Sequence, residues 1–349
     1  MGSVMKTLPP DKAKLRQTEL VDGFRRLVAY AKTEGVTAVL IAGDLFDAAP
    51  SITLQREVFS LMENAKPVCF FYVSGNHDES VTVQDKPSNL YVFSDAHGWQ
   101  SYALAENVTV TGLDTKNLRE SCYGELSLDK NTFNVVMMHG EVMAAKTEKK
   151  DQISLQRLQH KHIDYLALGH IHKPTYAAEK LDSRGVWRYC GCMESRGFDE
   201  CGRRGAFELE IQNGQLTSQR FLSFAKRMFT EVEVDISACR SYYDVEQTAL
   251  ATLANEPREN AVKIVLCGRH VADLKKEVAL LQQRFCELFF FARVEDCSRI
   301  FVDPNQFAND LTARGEFVRE VGRYEMNEEM RLEILEIGLK ALAGEEIDL

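Results

Sequence analysis

Thr37-Ala-Val-Leu-Ile-Ala-Gly-Asp-Leu-Phe-Asp47 reads as a buried strand that ends on a glycine and a carboxylate. The same design recurs downstream. Val68-Cys-Phe-Phe-Tyr-Val73 leads to Gly75-Asn-His-Asp78, Phe133-Asn-Val-Val-Met-Met138 leads to His139-Gly140, and Tyr165-Leu-Ala-Leu168 leads to Gly169-His-Ile-His172. Short apolar runs closed by polar, glycine-bearing turns are what central strands of a sheet require. If their ends converge on one sheet edge, Asp, Asn and three His residues meet in one pocket.

Outward from these blocks, residues 11–33 carry Leu15, Leu20, Phe24, Leu27 and Val28 at helical spacing, and Gly35 closes the pattern. A second helix at about 53–64 precedes the Cys69 strand, so the opening is helix, strand, helix, strand, an α/β order. Residues 79–104, broken by Pro87 and Gly98, read as a loop with short elements, and 107–112 as a strand. The lysine-bearing stretch 143–156 reads as a mobile loop, and strands at 187–190, 205–211 and 219–223 as an antiparallel half of the core. Near residue 226 the pattern changes. Strand 229–235, helix 241–254, strand 261–267, helix 271–284 and strand 287–294 form a smaller α/β unit. Helices at 305–321 and 326–343 follow, the last with Met330, Leu332, Ile334, Leu335 and Leu339. The expected domains are therefore 1–225 and 226–349.

Bulk composition sets limits. With 349 residues, 45% of them hydrophobic, the chain has enough apolar material for about two domains. It has no apolar run long enough for a transmembrane helix, and the first residues lack a secretion signal, so no membrane association is expected. Nine scattered Cys residues suit free thiols in a reducing cytoplasm. Cys190, Cys192 and Cys201 lack a second pair at zinc spacing and read as structural thiols. The net charge of −10 argues against general attraction to nucleic acid. Any polyanion must meet a local patch, for which Lys146, Lys149 and Lys150, or Arg184, Arg188, Arg196, Arg203 and Arg204, are candidates.

The polar blocks form a ligand set. Asp44 follows a glycine that lets the backbone turn beside an ion, and its two oxygens can bridge two cations. Asn76 offers an amide oxygen, and His139, His170 and His172 offer imidazole nitrogens. His170 and His172 alternate, so one segment can serve two neighbouring ions. Mixed N/O ligation suits Mn, Fe, Zn or Ni better than Mg or Ca, and such a pair activates water for attack at phosphorus. His77 is placed to protonate a leaving oxygen, with Asp78 orienting it. Asp47 reads as a cap, and His97, His160, His162 and His270 as surface or structural residues.

Taken together, the blocks resemble those of the calcineurin-like metallophosphoesterases. Val39-Leu-Ile-Ala-Gly-Asp-Leu-Phe-Asp47 and Asp164-Tyr-Leu-Ala-Leu-Gly-His-Ile-His-Lys173 look most like the DNA-repair exonuclease branch, the SbcD-type nucleases. The likeness covers about residues 12–225. It implies a β-sandwich flanked by helices, with two metal ions, most often manganese, at the strand ends. It implies Asp44 as the bridging ligand, Asn76, His139 and His170 around one ion, His172 at the other, and His77 as the catalytic histidine. Residues 226–349 resemble more weakly the capping domain with which such nucleases select DNA ends. Their final helices are expected to pack on the second domain, with docking of an SbcC-type ATPase partner as the alternative that the resemblance implies, and a homodimer is compatible with it.

The chain departs from that family at its start. The family opens with a strand ending Asp-x-His, which supplies two ligands beside His172. Here Asp11, Glu19, Asp22 and Glu34 are the acidic residues before Asp44, and no His precedes His77. Met1-Gly2-Ser3 matches the end of the family sequence Asp-x-His-Leu-Gly-Ser, with Met1 where Leu would stand. The expectation is a misplaced start or a truncation, with natural loss of activity as the rival, and one metal ion or weak binding with poor hydrolysis. Three functions follow: a DNA exonuclease or nuclease, a phosphoesterase for a small nucleotide or lipid-linked phosphodiester, or an inactive binding or scaffold subunit.

Overall fold

A computed structural model describes residues 1–2, 5, 7–47, 50–78, 86–94, 98–143, 152–271, 274–301, 307 and 309–343. They form two compact units, Met1–Met228 and Phe229–Leu349.

In the first unit, α1 (Pro10–Thr33) begins on a proline, whose missing N–H costs nothing in a first helical turn. It buries Leu20, Phe24 and Val28 as the spacing predicts, but Leu15 is exposed and Arg16 is fully buried beside it. Then come β1 (Ala38–Ala42), α2 (Ile52–Glu63), β2 (Cys69–Val73) and β3 (Leu90–Phe93). The side chain of Ser51 caps α2 by accepting the Leu54 N–H. The three strands run parallel, with Ala42 opposite Val73 and Val73 opposite Phe93. The turns that follow β1 and β2 therefore start side by side.

The chain continues through β4 (Gln100–Ala105), β5 (Val108–Gly112), α3 (Cys122–Glu125), β6 (Phe133–His139), β7 (Glu141–Met143), β8 (Gln152–Ser154), α4 (Leu155–Leu158), β9 (Tyr165–Gly169), β10 (Glu179–Lys180) and β11 (Val186–Tyr189). Six of these strands form a sheet ordered β10-β11-β9-β6-β5-β4, with His139 opposite Gly169. Alternation along β2 joins the layers. Phe71 and Val73 meet Val110, Val135, Met137 and Tyr165 of the larger sheet. Phe70 and Tyr72 point the other way and pack with Phe24 and Val28 of α1 and with Phe59 and Met62 of α2. Each such side chain removed from water contributes about 1.5–3 kcal/mol.

Several expectations need correction. The short elements expected within 79–104 are β3 and most of β4, and residues 79–85 and 95–97 lie outside the described residues. The strand expected at 187–190 is β11, which pairs parallel with β9. The antiparallel hairpin is β12 (Gly205–Gln212) with β13 (Gln215–Ser223). β13 starts before 219 because Gln215, Thr217 and Ser218 are exposed and give no apolar signal. Of the loop expected at 143–156, Met143 ends β7, residues 144–151 lie outside the described residues, and the rest enters β8 and α4.

The second unit is a parallel sheet of β14 (Phe229–Asp235), β15 (Ala261–Cys267) and β17 (Phe291–Asp296) in that order. α5 (Tyr242–Thr252), started by a Ser241/Asp244 capping box, and α6 (Val278–Leu288) supply Val245, Ala249, Leu281 and Phe285 to its core. β16 (Arg269–Val271) pairs with β18 (Arg299–Phe301), so the helix expected from 271 starts later, at Val278. α7 (Ala313–Arg323) and α8 (Glu328–Ala343) pack through Val318, Val321, Leu335 and Leu339, and Met330 is exposed. Among the described residues, no helix is long and apolar enough to cross a membrane.

Candidate metal centre

The ends of β1, β2, β6 and β9 bring together Asp44, Asn76, His139 and His170. Asp44 and His170 both adopt positive φ, 51° and 99°, which is uncommon for residues with a side chain and concentrates at functional sites. Close approach depends on glycine. A Cβ on Gly75 would stand 2.0 Å from Asp44 Oδ1, and one on Gly169 would stand 1.7 Å from the Ala42 carbonyl oxygen.

Backbone groups fix the ligands. His139, buried at the end of β6, donates Nδ1–H to the Ala42 carbonyl at 2.8 Å. Its Nε2 then faces Asn76 Oδ1 at 2.9 Å and Asp44 Oδ2 at 3.3 Å. Nδ1 of His170 lies 3.3 Å from the same Asn76 oxygen, and the two imidazoles meet edge to face with centroids 5.2 Å apart. Asp44 Oδ1 accepts the His77 N–H at 3.0 Å. Ligand atoms of Asp44, His139 and His170 all lie within 4.8 Å of one another.

Electrostatics follow from this geometry. Burial opposes the charge on Asp44, but the His139 imidazole and the His77 amide outweigh it and hold the carboxyl below its usual range. Burial likewise opposes a charged His139, and the Asp44 carboxylate beside it outweighs that and raises it. Proton and cation compete for the same Nε2 edge. One carboxylate, one amide oxygen and two imidazoles, one with its second nitrogen already committed, fit a divalent cation such as Mn or Zn.

Other expected site residues lie elsewhere. His172 stands outside the trio. β9 ends at Gly169 and the positive φ of His170 breaks the strand alternation that would have aimed both histidines alike. Nδ1 of His172 meets Glu200 Oε1 at 2.5 Å, with Arg196 alongside. Asp78 does not take the expected role of orienting His77. It is buried, and its oxygens accept the N–H groups of Leu45 at 2.9 Å and Phe46 at 2.8 Å. His77 itself is exposed. Asp47 pairs with Arg196 at 2.8 Å and does not cap α2. His160 and His162 are exposed, His270 is buried in the second unit, and His97 lies outside the described residues.

The expected arginine patch is largely committed internally. Arg184 forks onto Asp164, Arg188 stacks on Phe207, Arg196 is tied to Asp47 and Glu200, Arg203 lies over Phe221, and Arg204 donates to the His172 carbonyl. Lys146, Lys149 and Lys150 lie outside the described residues. The described cysteines are all free thiols. Sequence reasoning missed Glu200, whose polar surroundings carry no apolar periodicity, and assigned Arg196 to a polyanion patch where the structure sets it beside His172 and Glu200.

Residues 19–174 match the calcineurin-like phosphoesterase family. The chain is 22% identical over 277 residues to the uncharacterized metallophosphoesterase YhaO of Bacillus subtilis, covering 74% of this chain and 66% of that protein. It is 22% identical over 243 residues to the DNA double-strand break repair protein Mre11 of Thermoplasma acidophilum, covering 63% of each. The matched regions thus span slightly less than two thirds of either relative's length.

Proposed function

We propose that the chain, whose residues 19–174 match the calcineurin-like phosphoesterase family, is a divalent-metal-dependent phosphodiesterase acting on DNA, with manganese as its cation. The observation that carries the reading is the convergence of Asp44, Asn76, His139 and His170 at the ends of adjacent strands. A cation bound there supplies Lewis-acid polarisation of a phosphoryl oxygen and eases deprotonation of a water. The chain's own residues do the rest. Asp44 and Asn76 present oxygens held by the turns around them. Ala42 keeps the His139 ring in one orientation. His77, exposed at the rim and tied to Asp44 by its backbone amide, is placed to give a proton to the leaving oxygen. Asp78 acts on the backbone of Leu45 and Phe46 and not on the proton.

Support for DNA comes from the likeness to a DNA double-strand break repair protein and from the wording of the Val39–Asp47 and Asp164–Lys173 segments. The experiment compares hydrolysis of linear duplex DNA and of bis-p-nitrophenyl phosphate in Mn²⁺, for the chain and for His139→Ala. Cleavage of DNA that the substitution abolishes supports the reading. Turnover of the small ester alone would point to a small phosphodiester as substrate. Binding of DNA with no turnover of either would point to a scaffold.

A further inference from the structure

We propose that Cys267 and Cys297 form a redox-active dithiol at the strand ends of the second unit, which a hydroperoxide oxidises to an intramolecular disulfide. The register brings them together. β15 and β17 pair in parallel up to Leu266 opposite Asp296, and β16 and β18 resume with Arg269 opposite Arg299. The offset is the same in both ladders, so Cys267 stands opposite Cys297 between them. Two backbone bonds carry the register across: Cys297 donates its N–H to the Leu266 carbonyl and Arg299 to the Gly268 carbonyl, each at 2.9 Å. Lys263 reaches Glu231 of β14 and Glu295 of β17, both at 2.9 Å, and so marks one face of this sheet. Strand alternation puts Cys267 on the face of Lys263 and Cys297 on that of Glu295, so both thiols lie on that same face. Neighbouring strands stand about 4.7–4.9 Å apart, within the Cα separation of about 4.4–6.8 Å that a disulfide spans.

The two thiols differ in access. Cys297 is exposed and Cys267 half-buried. Partial burial, with the Glu233 and Asp235 carboxylates nearby, pushes the Cys267 thiol up, and Cys297 is close enough to add to that rise. Cys297 therefore meets the oxidant first. Its sulfur, as thiolate, attacks one peroxide oxygen, the O–O bond breaks, and the other oxygen leaves as water with the thiol proton. The product is a sulfenic acid on Cys297. Cys267 Sγ then attacks Cys297 Sγ, the S–S bond forms, and the S–O bond breaks to release a second water. The dithiol gives up two electrons and two protons, and the peroxide is reduced to two waters. Among the described residues, the group found close enough to hold a metal ion is Asp44, His139 and His170, so no third ligand joins the two cysteines. The disulfide would tie β15 to β17 at the step into β16 and β18, where Ile300 packs with Val318 and Val321 of α7.

The test treats the full chain with hydrogen peroxide, blocks the remaining thiols by alkylation, and reads proteolytic peptides by mass without reduction. A peptide linking Cys267 to Cys297 should appear ahead of any other cysteine pairing and vanish when dithiothreitol is added. It should form faster in the native chain than in urea, because the folded register supplies the proximity. Oxidation should also raise the melting temperature of the second unit, since the cross-link restricts its unfolded state. In Cys267→Ser that rise should be lost, and dimedone should trap Cys297 as the sulfenic acid. Absence of the linked peptide in the wild type, or its formation as fast in urea as in the native chain, would overturn the proposal. So would a melting shift that survives in Cys267→Ser. The wild-type peptide and its urea control need no variant to fold, and none of these readings involves the metal centre.

Discussion

Asp78 accepts the backbone N–H of Leu45 at 2.9 Å, and through its other oxygen that of Phe46 at 2.8 Å, so one buried carboxylate shapes the turn that carries Asp44. Asp78→Ala leaves two buried amides without partners, each costing about 1–3 kcal/mol. Thermal melting should show Asp78→Ala clearly destabilised and His77→Ala unchanged. Unchanged melting with lost activity in Asp78→Ala would instead mean that Asp78 works through His77.

Gly75 is required by contact. Its missing Cβ would lie 2.0 Å from Asp44 Oδ1 and 2.6 Å from the Asp44 backbone nitrogen. The second of these cannot rotate away. Gly75→Ala should cost about 1–3 kcal/mol, as overpacking does, and should weaken Mn²⁺ binding measured by calorimetry. Native affinity in that variant would show that Asp44 does not need its present position.

The buried ion cluster on α1 should matter far more than the surface pairs of the same helix. Glu19 receives Arg16 at 2.5 Å and Arg227 at 2.9 Å, all three buried, whereas Asp22 pairs with Arg25 in solvent. Glu19→Ala removes the carboxylate shared by two buried guanidinium groups, leaving Arg16 its contacts to Glu194 and Ser195, and should cost about 3–5 kcal/mol. Asp22→Ala should cost about 0–1 kcal/mol. Urea unfolding of the two variants compares them directly, and equal losses would refute the burial argument.

His270 makes the second unit sensitive to acid. Burial pushes its imidazole below the ordinary value of 6.5, opposed by the Val271 carbonyl and reinforced by Lys276. The folded state thus holds this group neutral while the unfolded chain takes up a proton. Its contribution to stability is complete above 6.5 and declines as pH falls through the lower folded value. His270→Gln should flatten the fall in unfolding free energy between about pH 7 and pH 5. A steeper fall in the variant would reverse the sign.

Much of the site is legible in the sequence because each ligand directly follows an apolar run, and the parallel register of β1 with β2 and of β6 with β9 carries those run ends to one edge. The glycines mark where backbones approach. What the sequence hides is the second layer. Asp78 serves backbone amides, which have no residue identity to recognise. Glu200 reaches His172 across 28 positions. His172 lies apart from the trio because strand alternation ends at Gly169, where the backbone turns. Arg16 shows the same limit in the fold, since a buried arginine on an apolar helix face becomes intelligible only when Glu19 and Glu194 are seen around it.

The central claim is that the strand-end cluster is a divalent-cation site with Asp44 at its centre. Titration of Mn²⁺ into the chain and into Asp44→Ala, with free Mn²⁺ read by electron paramagnetic resonance, tests it most directly. The account predicts stoichiometric uptake by the wild type and an affinity lower by more than about 100-fold in the variant, beyond the loss typical of an outer-shell partner. Equal uptake by both proteins would contradict it.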